Sequence, residues 1–294
     1  MKKYSYLLWT LLFLILLGSI PILLYNRGVD LARIVGFVVL IAIVVALWYW
    51  RYAVRKKSPR NERIKLDTND LFWLEKNIPF YNKLSKNDRK IFLDRVGIFL
   101  ADIQITEEDK EVADKETCFY VASSAIIAYW GLPYWNYGEL QEVLVYPTNF
   151  NMDNTLNELG RVGGKVHYGG LMDKTMILSL PELKKGFQID TDKKNVGVHE
   201  FSHLLDKSDG SIDGIPPFME KKDRKIWMSI MEREMSKINS DSSTIPDYGG
   251  VDKTEFFAVV SEYYKECPKL LKIKHRELYD VLHGYYNQSE VKKG

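Results

Sequence analysis

The chain has 294 residues, enough for one good-sized domain and a smaller appendage. Its 41 Lys and Arg against 39 Asp and Glu leave a formal charge of +2, which excludes the basic field that a nucleic-acid binder needs. Two distant cysteines, Cys118 and Cys267, have no CxxC partner; they exclude a disulfide framework, fit a reducing compartment and read as small buried apolar residues.

Residues 4–25 (YSYLLWTLLFLILLGSIPILLY) carry no charge and are long enough to cross a bilayer as a helix. A second uncharged run covers 34–50 (IVGFVVLIAIVVALWYW), and a short polar connection, 26–33, joins the two. The pattern predicts a transmembrane hairpin within residues 1–54. Trp9, Tyr25, Trp48, Tyr49 and Trp50 stand towards the span ends, where amphipathic rings favour the interface. The first run is too long for a signal-peptide core, and no A-x-A-like site follows it. Lys2 and Lys3 precede the first span, and Arg51, Arg55, Lys56, Lys57 and Arg60 follow the second. Positive charge on the outer flanks places both termini and the rest of the chain in the cytoplasm of a bacterium, on the inner membrane.

Residues 55–65 read as a charged, proline-broken linker, and 66–294 as the folded domain. Residues 85–101 show helical periodicity with Ser85 as cap, and 115–130 read as a mostly buried helix. Residues 141–146 and 175–180 read as strands closed by Pro147 and Pro181, with 165–170 pairing with one of them. The second strand, TMILSL, is expected at the sheet edge, where it can hold an extended peptide. Helices follow, one beginning near 192–195 and others over 217–237, 253–266 and 270–286. The fold class is α+β with helices dominant. Trp130, Tyr134, Trp135 and Tyr137 read as core aromatics.

The helix beginning near 192–195 carries VGVHEFSHLLD, residues 196–206. His199 and His203 are four residues apart and share one helix face. They can offer imidazole nitrogens to one metal ion at roughly 2.0–2.1 Å. Glu200 sits one residue round the helix, placed to act as general base without ligating the ion. Two buried imidazoles and a carboxylate are costly without such a partner.

A catalytic zinc needs a third protein ligand. The metzincin continuation requires Gly at position 206 and His at 209, and the chain has Asp206 and Asp209. Asp209 remains a candidate ligand, although SDGSIDG resembles turn chemistry. Downstream carboxylates are Glu220, Glu232, Glu234, Glu255, Glu262 and Glu266. Glu255 stands out, because it opens a helix whose other face is strongly apolar and so needs a cation. Glu262, seven residues on, shares its face as fallback ligand or as acceptor for a histidine N–H. Tyr248, on a loop just before that helix, can donate to a developing oxyanion. Asp206 either orients a histidine from behind or faces water at the helix end. His167 lacks nearby partners and is not expected to bind metal, while His275 and His283 read as surface or core residues.

HEFSHLLD, GIPPF (214–218) and DYGGVDKTEFFAVVSEYY (247–264) together resemble the Mlc titration factor family of bacterial zinc metallopeptidases. The resemblance covers about residues 65–290 and is strongest from 196 onwards. The stretch around Tyr248 and Glu255 is more distantly similar to the catalytic domain of anthrax lethal factor. The resemblance implies a zincin-like domain with His199, His203 and Glu255 as zinc ligands, Glu200 as base and Tyr248 as electrophile. The family pattern is of soluble proteins, and this chain departs from it with an apolar hairpin. The expected activity is that of a membrane-anchored, cytoplasm-facing zinc metallopeptidase of the gluzincin type, acting on a peptide or protein. The alternative is a zinc-containing module that sequesters a transcription regulator at the membrane. An intramembrane protease is a third and weaker reading, because the motif lies well outside the apolar runs and in a charged context.

Overall fold

The computed structural model describes residues 63–287 apart from 109, 111, 134, 150–163, 167–173 and 190. The chain divides between Pro59 and Arg60, and the described residues belong to the second unit. The expected hairpin, most of the linker, Tyr134 and His167 lie outside the described residues. Among the described residues, no helix is long and apolar enough to cross a membrane.

Two short helices open the unit, α1 (Thr68–Asn77) and α2 (Pro79–Asn82). Asp67 and Asp70 form a capping box at the start of α1. Helix α3 (Lys86–Asp102) begins at Ser85, whose side chain accepts from the Asp88 N–H. Strand β1 (Gln104–Glu107) follows, then α4 (Lys115–Ala128), β2 (Glu142–Tyr146), β3 (Gly164–Val166) and β4 (Thr175–Ser179). The sheet order is β1-β2-β4-β3; β1, β2 and β4 run parallel, and β3 is antiparallel to β4. Strand β4 is therefore interior, and the edges are β1 and β3, which corrects the edge expected at TMILSL. Its Met176, Ile177 and Leu178 are all fully buried, the continuous apolar run of a strand covered on both faces.

Pro181 does more than close β4. It stands in the first turn of α5 (Leu180–Gln188), a helix capped by Ser179. The motif helix is α6 (Val196–Asp206), followed by a 3₁₀ turn, Lys207–Asp209. Next comes α7 (Lys221–Ile238), four residues shorter at its start than expected because Phe218 adopts φ 62° in the turn before it. A second 3₁₀ turn, Asp247–Gly250, leads into α8 (Lys253–Glu266). The expected last helix is two, α9 (Pro268–Lys274) and α10 (Arg276–Tyr286). The break falls at His275, whose ring is bound on both sides: Nδ1 to Glu234 Oε2 at 2.8 Å and Nε2 to Thr244 Oγ1 at 2.8 Å.

Helix α6 packs between α4 and α8. Small buried residues Ala122, Ser123, Ser124 and Ala125 let α4 approach closely. A Cβ on Gly197 would meet Ser124 Oγ at 2.1 Å, so this contact requires glycine. Val198, Phe201, Leu204 and Leu205 fill the core from α6, leaving the His199–His203 face turned towards α8.

Candidate metal centre

Asn195 fixes where α6 begins. Its side chain accepts from the Val198 N–H at 3.1 Å and donates to the Gly186 carbonyl at 3.0 Å. Its own N–H donates to Glu262 Oε2 at 2.7 Å. One turn on, the rings of His199 and His203 cross at 80° with Nε2 atoms 3.1 Å apart.

Glu255 arrives from α8. Asp252 caps that helix, accepting from the Thr254 and Glu255 N–H groups at 2.8 and 2.9 Å, so the Glu255 backbone is held. Glu255 Oε2 lies 2.9 Å from His199 Nε2 and 3.4 Å from His203 Nε2. Among the described residues, His199, His203 and Glu255 are the group whose ligand atoms converge, all within 4.8 Å of one another. A tetrahedral ion with ligands near 2.05 Å spaces them by about 3.3 Å, so the donor set and its separations fit a metal. Asp209 stands outside the group, tied into its own turn by Ser211. Glu220 and Glu232 are exposed, and Glu234 is engaged by His275.

Glu262 lies two helical turns beyond Glu255 and meets the other side of His199, with Oε1 on Nδ1. Its carboxylate thus holds the imidazole with Nε2 facing Glu255. Burial opposes a charged His199, but Glu262 and Glu255 outweigh it and raise the imidazole well above its usual range. Burial also opposes ionisation of Glu255, and the two histidines reverse this, holding its carboxyl far below the ordinary value.

Glu200 is 6% exposed, and its carboxylate makes no hydrogen bond among the described residues. Burial raises its pKa, offset in part by His199 and His203. A carboxylate so placed is suited to proton exchange. Tyr248 lies in the 3₁₀ turn before α8, half exposed, its ring 5.8 Å from that of His199. Burial and the Glu255 carboxylate push its phenol up to about 12, so it stays a donor at neutral pH.

Asp206 does not face water: it is fully buried. Nor does it hydrogen-bond a histidine among the described residues. Its Oδ2 accepts from the Gly214 N–H at 3.0 Å, fastening the loop after α6, and burial pushes its pKa up to about 6. Gly214 in turn sits at φ 70° against the Lys253 backbone, where a Cβ would come within 2.0 Å of the carbonyl oxygen.

The supporting roles of Asn195, Glu234 and Thr244 escape a reading of the sequence. Asn195 carries a weak signal, an Asx residue just before the apolar-periodic helix. Glu234 and Thr244 carry none, because only the fold brings them to His275 and so staples the loop that leads to Tyr248. Lys193 adds to that staple, donating to the Thr244 carbonyl at 2.8 Å.

An α+β domain with two histidines and a glutamate converging beside a buried glutamate is the arrangement of a metal-dependent hydrolase. The glucose-regulated metallo-peptidase M90 family model matches residues 50–287, and the chain belongs to that family: it is a metallopeptidase, and peptides are its substrate class. An uncharacterized protein of Synechocystis sp. is 28% identical over 258 residues, covering 84% of this chain and 94% of the relative. Mlc titration factor A of Pectobacterium atrosepticum is 29% identical over 162 residues, 51% of this chain and 60% of that protein. The Yersinia enterocolitica protein of the same name is 27% identical over 165 residues, again 51% and 60%. The resemblance to the Mlc titration factor family read from the motif is met, and the match spans 60% of those proteins' length.

Proposed function

We propose that the protein is a zinc metallopeptidase of the gluzincin type, held at the inner membrane by residues 4–50 with its catalytic domain in the cytoplasm. The observation that carries the reading is the convergence of His199, His203 and Glu255 beside the buried Glu200. Zinc bound by those three would act as Lewis acid towards a peptide carbonyl and acidify water. Glu200 accepts the proton of the attacking water and returns it to the leaving amine. Tyr248 donates its phenol hydrogen to the oxygen that gains charge. Glu262 keeps the His199 ring in place through the cycle. The edge strand on the motif-helix side is β3, which packs against α6, so an extended peptide is expected along it by main-chain pairing.

The anchor rests on the two uncharged runs, and the cytoplasmic side rests on the Lys and Arg that flank them. Protease added outside intact cells leaves residues 66–294 uncut on this reading; digestion there reverses the orientation. For the active site, zinc analysis and a peptide-pool assay of the full chain beside Glu200→Gln are decisive.

A second reading is favoured by the name of the relatives, Mlc titration factor A. The domain would then hold a transcription regulator at the membrane, with zinc in a structural role. The buried Glu200, its carboxylate without a hydrogen bond among the described residues, weighs for the enzyme, since a structural site needs ligands and no base. Zinc retention without hydrolysis of any peptide would favour the binding module.

A further inference from the structure

Between the loop that follows α6, helix α7 and the start of α8 lies a cleft of about 470 Å³. Clefts of about 300–1,000 Å³ are the size that takes ligands. Ile212 and Ile215 of the loop form one wall, Met228 and Met231 of α7 a second, and residues 252–254 the third. Met231 is fully buried and forms the floor, whereas Ile212 and Met228 are exposed at the lips.

Gly214, between Ile212 and Ile215, holds this shape. Its N–H donates to Asp206 Oδ2 at 3.0 Å, and its carbonyl accepts from Trp227 Nε1 at 2.8 Å. Its Cα stands too close to the Lys253 carbonyl for a Cβ to fit. The loop is thus fastened to α6, α7 and α8 at once, so the cleft is formed before a ligand enters it.

Two of those anchors stand beside the metal-binding residues. Asp206 is three residues after His203, and Lys253 is two before Glu255. The wall formed by residues 252–254 adjoins Glu255, and Asp252 accepts the Glu255 N–H at 2.9 Å. The Asp252 charge also acts on the Tyr248 phenol, whose proton it helps to hold. Val251, between Tyr248 and Asp252 in the chain, is 65% exposed.

An extended peptide advances about 3.3 Å per residue and sends alternate side chains to opposite sides. A peptide cut at His199, His203 and Glu255 therefore carries a side chain near its scissile bond to a cleft that begins one residue from Glu255. Ile212, Ile215, Met228 and Met231 gain by covering an apolar group. Asp213 and Asp252, which also line the cleft, accept backbone N–H bonds as carboxylates and repel an acidic one.

We propose that this cleft is a side-chain subsite of the peptidase and selects a large apolar residue, the size of leucine, methionine or phenylalanine, close to the cleaved bond. That role deepens the proposed function and rests on the metal centre being catalytic.

The test gives the zinc-loaded full chain in detergent an equimolar pool of random peptides and locates the cuts by mass spectrometry. The expected result is one position near the cut where large apolar residues exceed aspartate by about tenfold or more. Met228→Glu and Ile212→Glu each place a charge at the lip. Each should lower kcat/KM for a peptide with leucine at that position by about 10- to 100-fold, with zinc retained, while Met228→Leu keeps the preference. Both side chains are exposed, so the variants should fold, and circular dichroism checks it. Fluorescence anisotropy of labelled peptides on the Glu200→Gln chain gives a readout without hydrolysis: the leucine peptide should bind about tenfold more tightly than its aspartate counterpart. Cuts without positional preference, a preference for lysine, equal affinities, or an apolar preference unchanged in both folded variants would overturn the subsite and leave the catalytic centre standing. No cleavage of any peptide would overturn the catalytic centre and the subsite together.

Discussion

Glu262 holds His199 from behind. One oxygen meets the imidazole Nδ1, and the other accepts the N–H of Asn195, the residue that caps the same helix. A single carboxylate thus sets both the ring's direction and the start of the helix that carries it. Glu262→Ala is expected to weaken metal binding by about 10- to 100-fold while retaining some, because the ligand stays but loses its orienting partner. Glu255→Ala removes a ligand and should abolish retention. Chelator competition distinguishes the two; equal loss in both would place Glu262 among the ligands.

Close approach of α4 and α6 rests on one missing methyl. Gly197→Ala puts a Cβ within 2.1 Å of Ser124 Oγ and 2.5 Å of Ser124 Cβ. The helices must then part, at a cost of about 1–3 kcal/mol. Thermal unfolding should show a lowered midpoint, and an unchanged midpoint would mean that the helices already have room.

Glu266 gives the domain a pH dependence that can be assigned. Burial, reinforced by Glu262 and Asp192 and opposed in part by the Lys194 N–H and the Asn195 side chain, raises its pKa from 4.5 to about 8. The folded state binds its proton more tightly than the unfolded state does. The resulting stability is fully present below 4.5 and is lost as pH rises to and through about 8. Glu266→Gln removes this loss. Denaturant unfolding between these limits should show a steeper fall for the unsubstituted chain than for the variant; parallel curves would show that the carboxyl is solvated.

Tyr248→Phe keeps the ring that faces His199 and removes the phenol. Metal content should not change, and kcat should fall by about a hundredfold with little change in KM. Loss of metal instead would make Tyr248 a structural support of the site.

The parts of this site that a sequence can carry are those that rest on local spacing. His199, Glu200 and His203 are set by one helix, so their separation alone implies a shared metal face. Glu255 and Tyr248 stand out because a carboxylate at the start of an apolar helix needs a cation and a loop tyrosine lies next to it. The links between Glu262 and Asn195, and among Glu234, His275 and Thr244, join segments 31 to 67 residues apart and leave no periodic trace. The same distance effect explains the helix break at His275, which contacts from two other segments impose on a continuous helical pattern. Strand β1 has only four residues, too few to show alternation, and α5 is hidden by a proline that starts a helix as readily as it ends a strand.

The central claim is that His199, His203 and Glu255 hold a catalytic zinc that works with Glu200. The most direct measurement pairs zinc content with peptide hydrolysis for the full chain and for Glu200→Gln. The account predicts about one zinc per chain in both proteins, with hydrolysis reduced in the variant by about 100- to 10,000-fold. Full activity in Glu200→Gln, or zinc bound equally well after His203→Ala, would contradict it.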